Sequence, residues 1–187
     1  MNDAGLTSSL LVAMPQLQDS NFHRTVLLMI EHETTASFGL ILNRPAGLLL
    51  SNLFDSLDCE WRGDSEATAG WGGPVEPASG WMLFGDSPAL SSNDEQISPV
   101  LDGVNFGGSL DVFKELAETP PAMLRFFLGY AGWGPGQLEF ELAQGAWLSA
   151  KAEPEVIFEI PPDQMWDHVV RGMGIEPSSL VSTAGVH

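Results

Sequence analysis

The segment GYAGWGPGQLEFE, residues 129–141, sets four glycines, Gly129, Gly132, Gly134 and Gly136, between an apolar run and a helical pattern. A strand feeding a glycine-rich turn and then a helix often cradles phosphate, because the backbone can approach closely and its N–H groups suit an anion. Two details oppose that reading here. A P-loop ends in Lys followed by Ser or Thr, whereas this turn ends in GPGQLEFE, and its glycine order G-x-x-G-x-G-x-G is not G-x-G-x-x-G. Glu139 and Glu141 also fall in the first turns of the following helix, where they complement its dipole and repel an anion. The segment therefore predicts a tight strand-to-helix turn, with Trp133 either packed as a lid or presented to a partner.

Arg44, in NRP at 43–45, ends an apolar strand in a chain with only 7 cationic side chains. Its guanidinium can pair structurally with one of the many carboxylates, or grip a ligand's carboxylate or phosphate through two parallel hydrogen bonds. GGPVEP at 72–77 is either a plain turn or a backbone wall that lets a ligand come close. The candidate ligand or partner residues are thus Asn43, Arg44, Gly72, Gly73, Pro74, Tyr130, Trp133 and Gln137.

Other chemistry is less well supplied. EHE at 31–33 brings two carboxylates near an imidazole, but along a strand Glu31 and Glu33 point opposite to His32. It reads as a strand end at the surface. His23, His32, His168 and His187 show no H-E-x-x-H or H-x-H spacing, and no G-x-S-x-G elbow is present. Cys59 stands between Asp58 and Glu60, where negative neighbours disfavour a reactive thiolate. No catalytic, cofactor-binding or metal-ligating residue is assigned, no cofactor is expected, and the balance leans away from an enzyme.

The charge narrows the partners. With 25 acidic against 7 basic residues the chain carries a net charge of −18. Specific DNA binding typically uses about 6–10 phosphate contacts. The scattered cations would nearly all have to converge against a repulsive field, which argues against direct nucleic-acid binding. The acidity reads as solubility or adaptation to a salty cytosol, with a basic partner protein as the alternative. The apolar runs TVLLMI and LLVAM fall far short of the roughly 20 residues that span a bilayer, so no membrane insertion is expected. The N-terminus lacks a basic n-region, and one cysteine suits a reducing compartment, so the expected location is cytoplasmic.

The elements that must position these residues follow from periodicity and punctuation. LLVAMPQL, TVLLMIEH and FGLILNRP read as buried strands, the last two paired antiparallel across ETTAS. LLSNLFDSL and SLDVFKELAE carry helical spacing, the latter capped by Ser109. Residues 81–84 form a short strand, residues 85–108 a long loop with at most one short strand, and PPAMLRFFLGY a strand entered through prolines. GQLEFELAQGAWL is a helix stopped at Gly145, PEVIFEI a strand, and PPDQMWDHVVRGMG a helix whose Met165, Trp166, Val169 and Val170 share one side. Without a repeat or linker, residues 1–187 are expected to form a single α+β domain.

Taken together, LLVAMPQLQDSNFHRTVLLMIEH, FGLILNRP, GGPVEP, LGYAGWGPGQLEFEL, GAWL, VIFEIPPDQMW and LVSTAG resemble the YqgE/AlgH family of bacterial proteins over nearly the whole chain. The resemblance implies a single α+β domain with mixed, partly barrel-like β-sheets flanked by helices. It implies no established activity, cofactor or catalytic set. Relatives often carry a transcriptional-regulator label, but no recognition helix rich in Arg, Lys, Asn or Gln is visible here. Asparagine is common in relatives where Gly145 stands.

Two functions remain in play. One is a non-catalytic binding or regulatory module acting through protein contacts, with Trp71, Trp133 and Trp147 as candidate anchors or core residues. The other is a small-molecule binder or enzyme whose pocket is built from NRP, GGPV and GYAGWG.

Overall fold

The computed structural model describes residues 5–17, 19–90 and 95–181. Its elements run β1 (Ser9–Ala13), β2 (Val26–His32), β3 (Ser37–Ile41), β4 (Pro45–Leu49), α1 (Leu50–Asp55), β5 (Thr68–Trp71), β6 (Val75–Phe84), β7 (Ile97–Leu101) and β8 (Val104–Gly107). They continue with α2 (Leu110–Glu118), β9 (Leu124–Trp133), α3 (Gln137–Ala143), β10 (Trp147–Lys151), α4 (Pro154–Phe158), α5 (Pro162–Gly172) and α6 (Pro177–Val181). The chain divides into two compact units, Met1–Arg44 with Ala131–His187, and Pro45–Tyr130. β9 crosses the boundary between Tyr130 and Ala131.

In the first unit the strand order is β10-β1-β2-β3, all antiparallel, and Ala131, Gly132 and Trp133 at the end of β9 pair with β3. Leu10, Leu11, Val12, Val26, Leu27, Leu28, Leu40 and Ile41 are fully buried. Consecutive residues of a strand face opposite ways, so these strands are covered on both faces, which is why they read as continuous apolar runs. Each such side chain contributes roughly 1.5–3 kcal/mol by leaving water. The expected β2–β3 hairpin is present, with a bulge between Met29 and Glu31. On α5 the stripe Met165, Trp166, Val169 and Val170 is buried, and the Trp166 indole N–H donates to the Ala13 carbonyl at 2.9 Å.

In the second unit β6 is flanked by β8 and β9, with β7 outside β8. β5 pairs parallel with β9 and antiparallel with β4, so the pairing is mixed. The core joins Leu50, Leu53 and Phe54 of α1 to Val112, Phe113 and Leu116 of α2, over Met82, Phe84 and Phe126. Ser109 caps α2 as expected, its hydroxyl accepting from the Val112 N–H at 3.3 Å. The fold is α+β, with curled, mixed strand pairing and flanking helices, as the sequence and the resemblance led us to expect.

Several element expectations are corrected. VIFEI is not a strand: Pro154 stands at the start of α4 with Glu155 in its first turn, and this entry chemistry prevails over the β-branched composition. The stretch 85–108 contains the β7–β8 hairpin, joined by Asp102 and Gly103 with φ +75° at the glycine, the Asp-Gly turn that suits a two-residue connection. The strand expected over 81–84 begins at Val75. Most of LVSTAG lies outside the described residues.

One glycine has an unambiguous packing role. Gly129 has φ +72°, and a Cβ built there would stand 2.3 Å from the Gly73 carbonyl oxygen, a backbone atom that cannot move aside alone. By contrast a Cβ at Gly134 meets nothing within 4 Å. We expect Gly129→Ala to cost at least about 2 kcal/mol, seen as a Tm fall of roughly 4 °C or more or as loss of soluble protein. Gly134→Ala should stay within about 0.5 kcal/mol of wild type in the same thermal melts.

Candidate functional site

The eight candidate residues do not fall in one unit. Asn43, Arg44, Trp133 and Gln137 belong to the first, and Gly72, Gly73, Pro74 and Tyr130 to the second. Within the second, the Gly72 N–H donates to the Leu128 carbonyl at 2.7 Å, and Val75 pairs with Tyr130. The GGPV turn is thus seated on β9, with Gly73 against Gly129. Tyr130 packs edge-on to Trp81 at 6.1 Å, and Trp81 stacks on Phe106 at 5.3 Å.

In the first unit the polar groups of NRP serve the chain itself. The buried Asn43 side chain accepts from the Val26 N–H and donates to the Arg24 carbonyl, each at 2.9 Å. It thereby brackets Arg24, a non-glycine residue at φ +52°. The Arg44 guanidinium donates to the His23 carbonyl, and its burial lowers its pKa from the ordinary value. Arg24 pairs with Asp167 and lies over the Trp166 ring at 4.4 Å. NRP is thus a clamp on the NFHRT segment, the structural alternative for Arg44.

The glycine turn carries the densest constellation. The Trp133 and Trp147 indole N–H groups both donate to Glu141 Oε2, at 2.9 and 2.8 Å. Gln137, one helical turn before Glu141, donates to Oε1 at 3.0 Å, and its own amide oxygen accepts from the Gly134 N–H at 3.2 Å. The two indoles meet edge to face at 5.9 Å, and Phe22 stacks on Trp133 and lies edge-on to Trp147. A phosphate has little to gain here: a glycine N–H is already engaged, and α3 spans only 7 residues with a carboxylate in its first turn.

Trp133 and Trp147 are 5% and 2% exposed, so neither is the exposed anchor that the sequence left open; Trp133 is the packed lid. Just past the end of α3, Gly145 has φ +71°, and the Ala146 N–H reaches back to the Glu141 carbonyl. Glycine adopts that left-handed conformation without steric cost.

His32 is corrected from a surface strand end to a buried residue. Its Nδ1 is 2.6 Å from the Ser37 hydroxyl, and its Nε2 is 3.3 Å from Glu139 on α3. Serine, imidazole and carboxylate in that order form the chain that activates a nucleophile. Yet Ser37 is 6% exposed and the His32 side chain 1%, so the hydroxyl is enclosed and this chain ties α3 to the β2–β3 hairpin. The alternation held, with Glu31 and Glu33 exposed on either side of His32; the sequence did not show that Glu139 of α3 stands against the His32 face.

What the sequence reading missed is Phe140, 65% exposed in the middle of α3. Leu138 on the same helix is fully buried. Two residues turn an α-helix by about 200°, so these two side chains must face opposite ways. A helical wheel of GQLEFEL carries that signal. Cavities of about 210 and 520 Å³ lie along α5, lined around His168 and by none of the candidate residues. Among the described residues no three His, Cys, Asp or Glu side chains converge as a metal site, and no helix is long and apolar enough to cross a membrane.

An α+β fold with a glycine turn pinned by tryptophans to a short acidic helix defines a class with relatives. The AlgH-like family profile matches residues 10–178, and the chain belongs to that family. A UPF0301 protein of Myxococcus xanthus is 42% identical over 183 residues, covering 97% of this chain and 98% of the relative. One from Ralstonia pickettii is 37% identical, covering 96% and 94%. The solution structure of the AlgH protein from Pseudomonas aeruginosa is similar at a TM-score of 0.77 and 32% identity, covering 100% of this chain and 98% of that one. A Corynebacterium diphtheriae protein, DIP2367, shares the fold at a TM-score of 0.70 and 24% identity, covering 89% and 86%.

Removing the Glu141 acceptor leaves two buried indole donors unmet. Glu141→Ala should destabilise the protein by about 2–4 kcal/mol in denaturant unfolding, and Glu141→Gln, which keeps one acceptor oxygen, by about half as much.

Proposed function

We propose that this chain is a non-catalytic binding module that acts through protein contacts, with α3 as its contact helix. The observation that carries the proposal is Phe140. Among the described residues the large apolar side chains standing exposed are Leu110 at 45% and Phe140 at 65%. Phe140 sits on a helix whose other side chains are tied down through Glu139 and Glu141. A rigid, exposed aromatic loses little entropy on binding and suits an interface anchor. The role first weighed for Trp133 passes to its neighbour on the helix.

The polar groups that a small-molecule pocket would draw on, Asn43, Arg44 and Gln137, are engaged with the chain itself. Any regulatory effect, including the transcriptional one named for relatives, then runs through a partner protein. The free, half-buried Cys59 fits a reducing cytoplasm. The family match runs through both units, which supports reading them as one functional domain.

Phe140→Ser tests the proposal. Its exposure predicts a Tm within a degree or two of wild type, since exposed substitutions usually stay within about 0.5 kcal/mol. In cross-linking from cell extract, a partner captured by wild type should be missing from the variant. Recovery of the same proteins by both would sink the assignment of α3.

A further inference from the structure

We infer that the partner face recognised by α3 is an apolar pocket or stripe rimmed by lysine or arginine, borne by another protein. This deepens the reading of α3 as the contact helix and rests on it. Three observations point to that chemistry. Glu139, immediately before Phe140, keeps its side chain 45% exposed while His32 Nε2 holds it from behind at 3.3 Å. Glu31 and Glu33 are exposed as well; they point away from the His32 side that meets α3, so they add to the local negative field and not to the rim. No lysine or arginine occurs between Arg125 and Lys151, so α3 carries no cation of its own, and the whole chain has net charge −18.

An aromatic beside fixed carboxylates presents an apolar centre with a negative rim. Its complement is an apolar site with a positive rim, which steers encounter by charge and anchors by burial. The same charge disfavours a second copy of this chain, since two such faces would bring like charges together. Fixing Glu139 through His32 matters because a carboxylate already held in place loses less side-chain entropy when it meets a cation.

The test uses the full-length protein and three synthetic amphipathic helical peptides with one shared leucine and tryptophan face. Their polar faces carry lysine and arginine, glutamine, or glutamate. Fluorescence anisotropy of labelled peptide reads affinity at low and moderate salt. The basic peptide should bind and weaken with salt, the glutamine peptide should bind more weakly, and the glutamate peptide should not bind. Phe140→Ser should lower basic-peptide affinity about tenfold or more. Glu139→Gln should lower it severalfold, whereas Glu33→Gln, the same charge change away from the rim, should lower it less than about twofold. Leu110→Ser, in the other unit, should leave it unchanged.

Basic-peptide binding that survives Phe140→Ser would be general charge attraction and would overturn the inference together with the α3 reading. Equal binding of the basic and glutamine peptides, lost in Phe140→Ser, would overturn the basic rim and leave α3 standing as a contact helix. Binding of none of the three, or a wild-type dimer in sedimentation that dissociates in Phe140→Ser, would also overturn it, the latter by giving the face to a second copy.

Discussion

The Glu141 carboxylate is the fixed point of the family's glycine turn. One of its oxygens receives two indole N–H groups, from the end of β9 and the start of β10, and the other receives the Gln137 amide. Charge-assisted hydrogen bonds of this kind are about twice as strong as neutral ones, and three on one carboxylate make its position hard to change. Because Glu141 lies on α3, that helix is pinned between the strands that bear Trp133 and Trp147. The glycines serve this arrangement: Gly134 offers its N–H to Gln137, and Gly145 turns the chain sharply enough to bring Trp147 back. A short helix held so tightly has a defined outer face, and Phe140 stands on it.

The same economy holds elsewhere in the first unit. Asn43 uses its amide oxygen and nitrogen on the chain near Arg24, and Arg44 reaches the His23 carbonyl. Side chains that look chemically capable in isolation bind the chain's own backbone groups, Asn43 in the interior and Arg44 nearer the surface. His32 and Ser37 belong with them. Their alignment with Glu139 resembles a catalytic relay, but burial decides the matter: a nucleophile must reach its substrate, and this hydroxyl is enclosed. The engagement of these groups and the exposure of Phe140 are what the proposal of a contact module rests on.

Much of this was legible in the sequence. The buried runs LLVAM and VLLMI, the Ser109 cap and the apolar stripe of α5 follow from periodicity and cap chemistry, and they appear where expected. The helix of VIFEI had a signal in Pro154 at its first position, which the β-branched composition of the run obscured. The site was legible only in part. Trp133 and Gln137 were singled out by their place in the turn, and the structure joins them through Glu141, which the sequence had read only as a helix-dipole residue. His32 reads as a surface residue because alternation separates it from Glu31 and Glu33 but does not say that α3 stands against its face. Phe140 was overlooked because apolar residues in a signature segment suggest a core, and only the rotation between positions 138 and 140 separates inside from outside.

The most direct test is a ¹⁵N- and ¹³C-edited NOE spectrum of the wild-type protein with assigned indole and aromatic resonances. The account predicts slowly exchanging Trp133 and Trp147 indole protons, both with NOEs to the Glu141 side chain, and a Phe140 ring whose NOEs stay within α3. Rapid exchange at both indoles, or a Phe140 ring in contact with the buried strands, would contradict it.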